Sequence, residues 1–88
     1  MPNCTTFEHV EDKFTRTVLE QPAQNTDRTS LSILLDEAQE HLLSDLADDY
    51  LDGEILDART DALERAVDAY HADNLSNCHA NLRRFWSI

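Results

Sequence analysis

The chain has 88 residues, eighteen acids against seven bases for a formal charge of −11, and 41% hydrophobic residues. That length allows one domain with a modest core. No stretch reaches the roughly 20 apolar residues of a bilayer span, and the acidity argues against binding nucleic acid or anionic membranes through a basic surface.

One glycine and two prolines are too few turn residues for a strand-and-turn fold. Ala, Leu, Asp, Glu and Arg dominate the middle of the chain and favour helix. The composition therefore predicts an all-α domain, a bundle of three to four helices. The start, Met1 to Val10, has neither a basic segment nor an apolar run, so the expectation is no secretory leader and a cytoplasmic location. Cys4 and Cys78, the only cysteines, are then expected to be free thiols.

The first helix is expected over about 6–20. Thr5-Thr6-Phe7-Glu8 has the form of a capping box, and Phe7, Val10, Phe14 and Val18 recur at helical spacing. Pro22 ends it. A polar loop over 21–30 follows, where Thr29 or Ser30 can cap the next helix. That second helix is expected over about 31–51. Its apolar stripe is Leu31, Leu34, Leu35, Ala38, Leu42, Leu46 and Tyr50. Gly53 breaks the pattern, as a residue able to take the left-handed conformation that closes a helix.

The third helix is expected over about 54–73, burying Ile55, Leu56, Leu63, Val67 and Tyr70, with Ala62 and Ala66 allowing close approach. The short connection predicts an antiparallel hairpin of the second and third helices. Asp73, Asn74, Ser76 and Asn77 are poor helix-interior residues. They predict a break and a fourth helix over about 75–86, carrying Leu75, Cys78, Leu82 and Phe85 or Trp86.

The charge is uneven. Residues 31–73 hold thirteen acids against Arg59 and Arg65, whereas residues 74–88 carry only Arg83 and Arg84. Asp45, Asp48, Asp49, Asp52, Glu54 and Asp57 form a run without a base. Acids at 45, 48, 49 and 52 project from one side of a helix. This acidic face is one candidate partner-binding surface, suited to a basic protein and able to imitate the charge of a nucleic acid. The alternative is a solvated face.

The second candidate is the C-terminal Arg83, Arg84, Phe85 and Trp86. Arg and Trp are frequent at binding hot spots. Phe85 and Trp86 equally suit the core, and that reading weighs more, because aromatics carry much of a small domain's buried area.

Metal chemistry has two weak footholds. Residues 48–59 loosely resemble a calcium loop with Gly53 at its sixth position. Tyr50 and Arg59 would then stand where oxygen ligands are required. His71, Cys78 and His79 fall on one side of a continuous helix but lack zinc-ligand spacing. Cys78 reads better as a core residue, and the histidines as peripheral. No phosphate loop or nucleophile elbow is present, and the expectation is no catalytic residues, no metal and no cofactor.

In size, charge and lack of catalytic motifs the chain resembles small acidic phage inhibitors of host defence, a likeness of composition that carries over no residue. Eleven aspartates to seven glutamates, and six arginines to one lysine, also resemble the composition of proteins from salt-loving organisms. The sequence thus points to a non-enzymatic regulator or inhibitor that docks on a basic protein, with nucleic-acid-binding proteins among the candidates. The alternative is a structural, salt-adapted helical dimer whose acids serve solubility. A homo-oligomer is expected in either case, because so short a chain offers more apolar stripes than a monomer of this size readily covers.

Overall fold

A computed structural model of the chain describes residue 7, residues 9–48 and residues 53–87; the side chains of residues 47 and 48 stand outside the description. The described residues form an all-α bundle of α1 (Lys13–Glu20), α2 (Arg28–Asp48), α3 (Gly53–His71) and α4 (Leu75–Ser87), with no strand among them. The body is flattened, 35 × 35 × 18 Å, and the long dimension matches α2, about 31 Å at 1.5 Å per residue.

The first helix starts later than its apolar spacing suggests. Asp12 is the N-cap: its Oδ1 accepts from the Phe14 amide at 3.1 Å, and its Oδ2 accepts from the Thr15 hydroxyl at 3.1 Å. Asp is a strong N-cap because its oxygen satisfies an otherwise orphaned amide. Phe7 and Val10 are buried ahead of the helix, in a turn closed by the Val10 amide and the Phe7 carbonyl at 3.0 Å. The helix therefore buries Thr15, Val18 and Leu19, while Phe14 is 43% exposed. The capping box at residues 5–8 falls outside the described residues, Phe7 excepted.

Helix α2 begins at Arg28, with Asp27 rather than Thr29 or Ser30 as its cap. The Ser30 amide donates to Asp27 Oδ1 at 2.9 Å. Hydrogen bonds from the Ser30 side chain and backbone hold the Asp27 carboxyl below its ordinary range. Leu31, Leu34, Leu35 and Ala38 are buried, and Leu42 packs against the core. Leu46 does not continue the stripe and is 53% exposed. Tyr50 and Leu51 lie outside the described residues.

Gly53 does not take the left-handed conformation; it opens α3. The left-handed residue is Asp73, with φ of 64°. The Asn74 amide reaches back to the Ala69 carbonyl at 2.8 Å, and the Asp73 amide to the Tyr70 carbonyl at 3.1 Å. This pair of bonds is the Schellman ending of a helix. Asn74 then caps α4, its side chain accepting from the Asn77 amide at 3.3 Å and its carbonyl from the Cys78 amide at 3.0 Å. The break near Asn74 read from the sequence is present.

Two ion pairs fix the hairpin's direction. Arg28, at the start of α2, meets Asp73 beyond the end of α3 at 2.6 Å. Arg59, early in α3, meets Asp45, late in α2, at 2.6 Å. Opposite ends pair, so α2 and α3 run antiparallel. Arg28 also lies 4.3 Å from the Tyr70 ring centroid and donates to the Tyr70 carbonyl at 3.3 Å. Helix α4 packs against α3, α2 and α1 and contributes Cys78, His79, Leu82, Phe85 and Trp86 to the interior. On α3, the buried face is Ala62, Leu63, Ala66 and Ala69, with Val67 and Tyr70 partly buried against the core and Ile55 exposed.

Candidate functional site

The acidic run does not form one open face. Asp45 follows Leu42 by three residues and Ala38 by seven, which sets it on the inner side of α2. Its side chain is only 13% exposed, held by Arg59, itself 23% exposed. Asp45 is thus a structural partner of Arg59 rather than a surface residue. Asp49 and Asp52 lie outside the described residues, as does the Asp48 side chain. Glu54 and Asp57 are exposed.

These two begin a longer row that sequence reasoning passed over. Glu54, Asp57, Asp61, Glu64 and Asp68 recur at intervals of three and four residues on α3, which places them on one side of the helix. The buried Ala62, Leu63, Ala66 and Ala69 occupy the opposite side. The row spans fourteen residue steps, about 21 Å. Within the row Asp61 is bridged by two arginines, Arg65 at 2.9 Å and Arg84 at 3.4 Å.

The C-terminal cluster divides. Phe85 and Trp86 are buried, 2% and 6% exposed, and their rings meet edge-on, 5.0 Å apart at 71°. They are core residues, not an exposed hot spot. Arg83 and Arg84 point outward. Arg83 sits 5.4 Å from the Phe7 ring centroid, and Arg84 meets Asp61.

The metal candidates are not brought together. His71 is exposed and stands edge-on to Tyr70, 5.9 Å away at 76°. Cys78 and His79 are buried, so His79 is not peripheral. Burial pushes the Cys78 thiol up to about 11, against the thiolate that zinc requires. His79 Nε2 is hydrogen-bonded to the Val18 carbonyl at 2.9 Å. No group of three or more His, Cys, Asp or Glu among the described residues is placed to hold a metal. Residues 53–59, the sixth to twelfth positions of the calcium-loop likeness, are continuous helix. No described helix is long and apolar enough to cross a membrane.

A cleft of about 580 Å³ lies where the segment before α1 crosses α2 and α4. That segment gives His9, Val10, Glu11 and Asp12; α2 gives Glu37 and His41; α3 gives Arg59; Phe85 and Trp86 form the floor. His9 Nε2 donates to the Trp86 carbonyl at 2.7 Å, a direction set by a carbonyl that only accepts. His41 stands edge-on to the Trp86 indole, 6.1 Å away at 83°. Arg59 lies 5.9 Å from the Phe85 ring centroid and is anchored by Asp45. Asp12 is engaged as the α1 cap. The cleft unites residues from positions 9 to 86, and no local motif announces it.

Comparison with protein families, with curated proteins and with solved structures finds no match for this chain.

Proposed function

We propose that this chain is a non-enzymatic, cytoplasmic binding protein, a regulator or inhibitor that docks on a basic protein partner through the acidic outer side of α3. The observation that carries this reading is how the two signs of charge are distributed. Arg28, Arg59, Arg65 and Arg84 are each bound to a carboxylate of the chain, and Arg83 lies over the Phe7 ring. These five of the chain's seven cations are turned to holding the fold, the other two, Lys13 and Arg16, stand on α1, and the outer side of α3 presents negative charge. Charge of one sign on one side speeds encounter with the opposite sign and suppresses wrong partners.

The row's density favours a protein over a nucleic-acid-binding channel as the fit. It carries one carboxylate per roughly 4–5 Å of helix, estimated from the helical rise. A DNA duplex carries one charge per about 1.7 Å. A basic helix, with Lys or Arg recurring each turn, matches the sparser row.

The test uses the partner recovered by affinity capture from the native host. Replacing Glu54, Asp57, Glu64 and Asp68 with Gln or Asn slows association and flattens its dependence on salt, with the far-ultraviolet spectrum unchanged. Unchanged association kinetics reject the reading.

One observation favours the structural alternative, a salt-adapted helical dimer. Leu43, Leu46 and Ile55 are exposed at the end where α2 leads into α3, and a second copy would cover them. A dimer seen by light scattering, whose wild-type fold tightens only near molar salt and whose partner binding ignores the α3 substitutions, selects that role.

A further inference from the structure

We infer that the cleft floored by Trp86 is a receptor for one arginine side chain, presented by the basic partner as the anchor of its docking. The inference rests on the reading of the chain as a binder of basic protein and adds the residue type recognised and the place that recognises it. Three observations lead there.

The first is charge. Glu11 and Glu37 reach the cleft from different walls, the segment before α1 and α2, and neither has a hydrogen bond or ion pair among the described residues. The one Lys or Arg among the described lining residues, Arg59, is already held by Asp45. The space therefore offers uncompensated negative charge, which disfavours phosphate and carboxylate ligands.

The second is the floor. Val10, Phe85 and Trp86 make it apolar. Acceptors above an apolar floor suit a flat, weakly hydrated cation whose hydrogen-bond donors lie at its edge. Guanidinium has five such donors and no acceptor, whereas ammonium is compact and strongly hydrated.

The third is the placing of His9, whose Nε2 donates to the Trp86 carbonyl at 2.7 Å and so ties the segment that carries Glu11 to the floor residue. The cleft's volume of about 580 Å³ lies within the usual range for small ligand sites, several hundred cubic ångströms.

The floor residue supplies the readout, because Trp86 is the only tryptophan. The probe is the capped tripeptide Gly-Arg-Gly, titrated while Trp86 fluorescence and its indole N–H resonance are followed. A saturable change is expected. The citrulline counterpart, alike in shape but uncharged, gives none, and the lysine counterpart binds more weakly. Glu11→Gln and Glu37→Gln each weaken binding by about three- to tenfold, the loss of one solvent-screened, charge-assisted contact. Both variants are expected to keep the fold, since neither carboxylate has a hydrogen bond or ion pair among the described residues.

Glu54→Gln combined with Asp57→Asn, away from the cleft, leaves tripeptide binding unchanged. No saturable change, equal binding of the citrulline peptide, or equal sensitivity to the Glu54 and Asp57 substitutions overturns the inference. With the whole partner, sensitivity to the α3 substitutions but not to Glu11→Gln and Glu37→Gln overturns the arginine site and leaves the proposed function standing. Insensitivity to both sets overturns both.

Discussion

The Nε2–H of His79 donates to the carbonyl oxygen of Val18 across 2.9 Å, joining the middle of α4 to the last turn of α1. His79 is 2% exposed. The same carbonyl accepts from the Gln21 amide at 3.2 Å, so it keeps one partner if the imidazole is removed. His79→Leu, close in volume, should therefore lower stability by only about 1 kcal/mol, the net value of one hydrogen bond. His79→Ala adds a cavity and should lose about 2–4 kcal/mol. Urea denaturation of both variants checks the order; a Leu variant as damaged as the Ala variant would show that the bond outweighs the packing.

Asp45 and Asp57 should respond oppositely to neutralisation. Asp45→Asn removes a charged partner of a largely covered guanidinium, with a loss of about 1–3 kcal/mol, below the figure for a fully buried pair because both groups retain some exposure. Asp57→Asn alters an exposed position of the α3 row and should stay within about half a kcal/mol. A double-mutant cycle with Arg59→Met isolates the pair. Equal melting temperatures for Asp45→Asn and wild type would refute the assignment.

At residue 73 the backbone conformation and the ion pair compete. A non-glycine residue in the left-handed region costs about 1 kcal/mol. The Arg28–Asp73 bridge is exposed on both sides, 46% and 81%, and such pairs contribute about 0.2–1 kcal/mol. Asp73→Gly should be neutral to stabilising, whereas Asp73→Ala keeps the Cβ penalty, loses the bridge and should be destabilising. The expected order of melting temperature is Gly, then wild-type Asp, then Ala.

Cys78 should be inert while the fold persists. Burial raises its thiol from the ordinary 9.0 to about 11. In a Cys4→Ser background, a disulfide reagent at pH 8 should label the chain only as fast as it unfolds. The folded state holds this proton more tightly than the unfolded one. The stabilisation is complete below about pH 9 and is lost as pH rises towards 11. Cys78→Ala should show a flatter decline in melting temperature over that interval.

Much of the fold was legible because α2, α3 and α4 carry their buried residues at helical spacing, and because Asp73-Asn74 is poor helix interior. The start of α1 was misread for a physical reason. Phe7 and Val10 stand at helical spacing from Phe14, yet they reach the core from a turn, and Asp12 claims the cap. The positions of Asp45 and His79 were recoverable, since each falls inside the apolar stripe of its helix. So was the α3 row, from its alternating intervals. The cleft was not, because His9, Glu37 and Trp86 converge only through tertiary packing.

Asn74 belongs to two helices at once, closing α3 through its amide and opening α4 through its side chain. Helix reversal there needs no loop, so pairing α3 with α4 carries almost none of the closure entropy that distant contacts must overcome. The bonds that seat the N-terminal segment, Val18 to His79 and His9 to Trp86, bridge 61 and 77 residues. Local contacts form early and distant ones late. The chain should assemble from its C-terminal half, with α1 docking last, and the cleft exists only once that final step is complete.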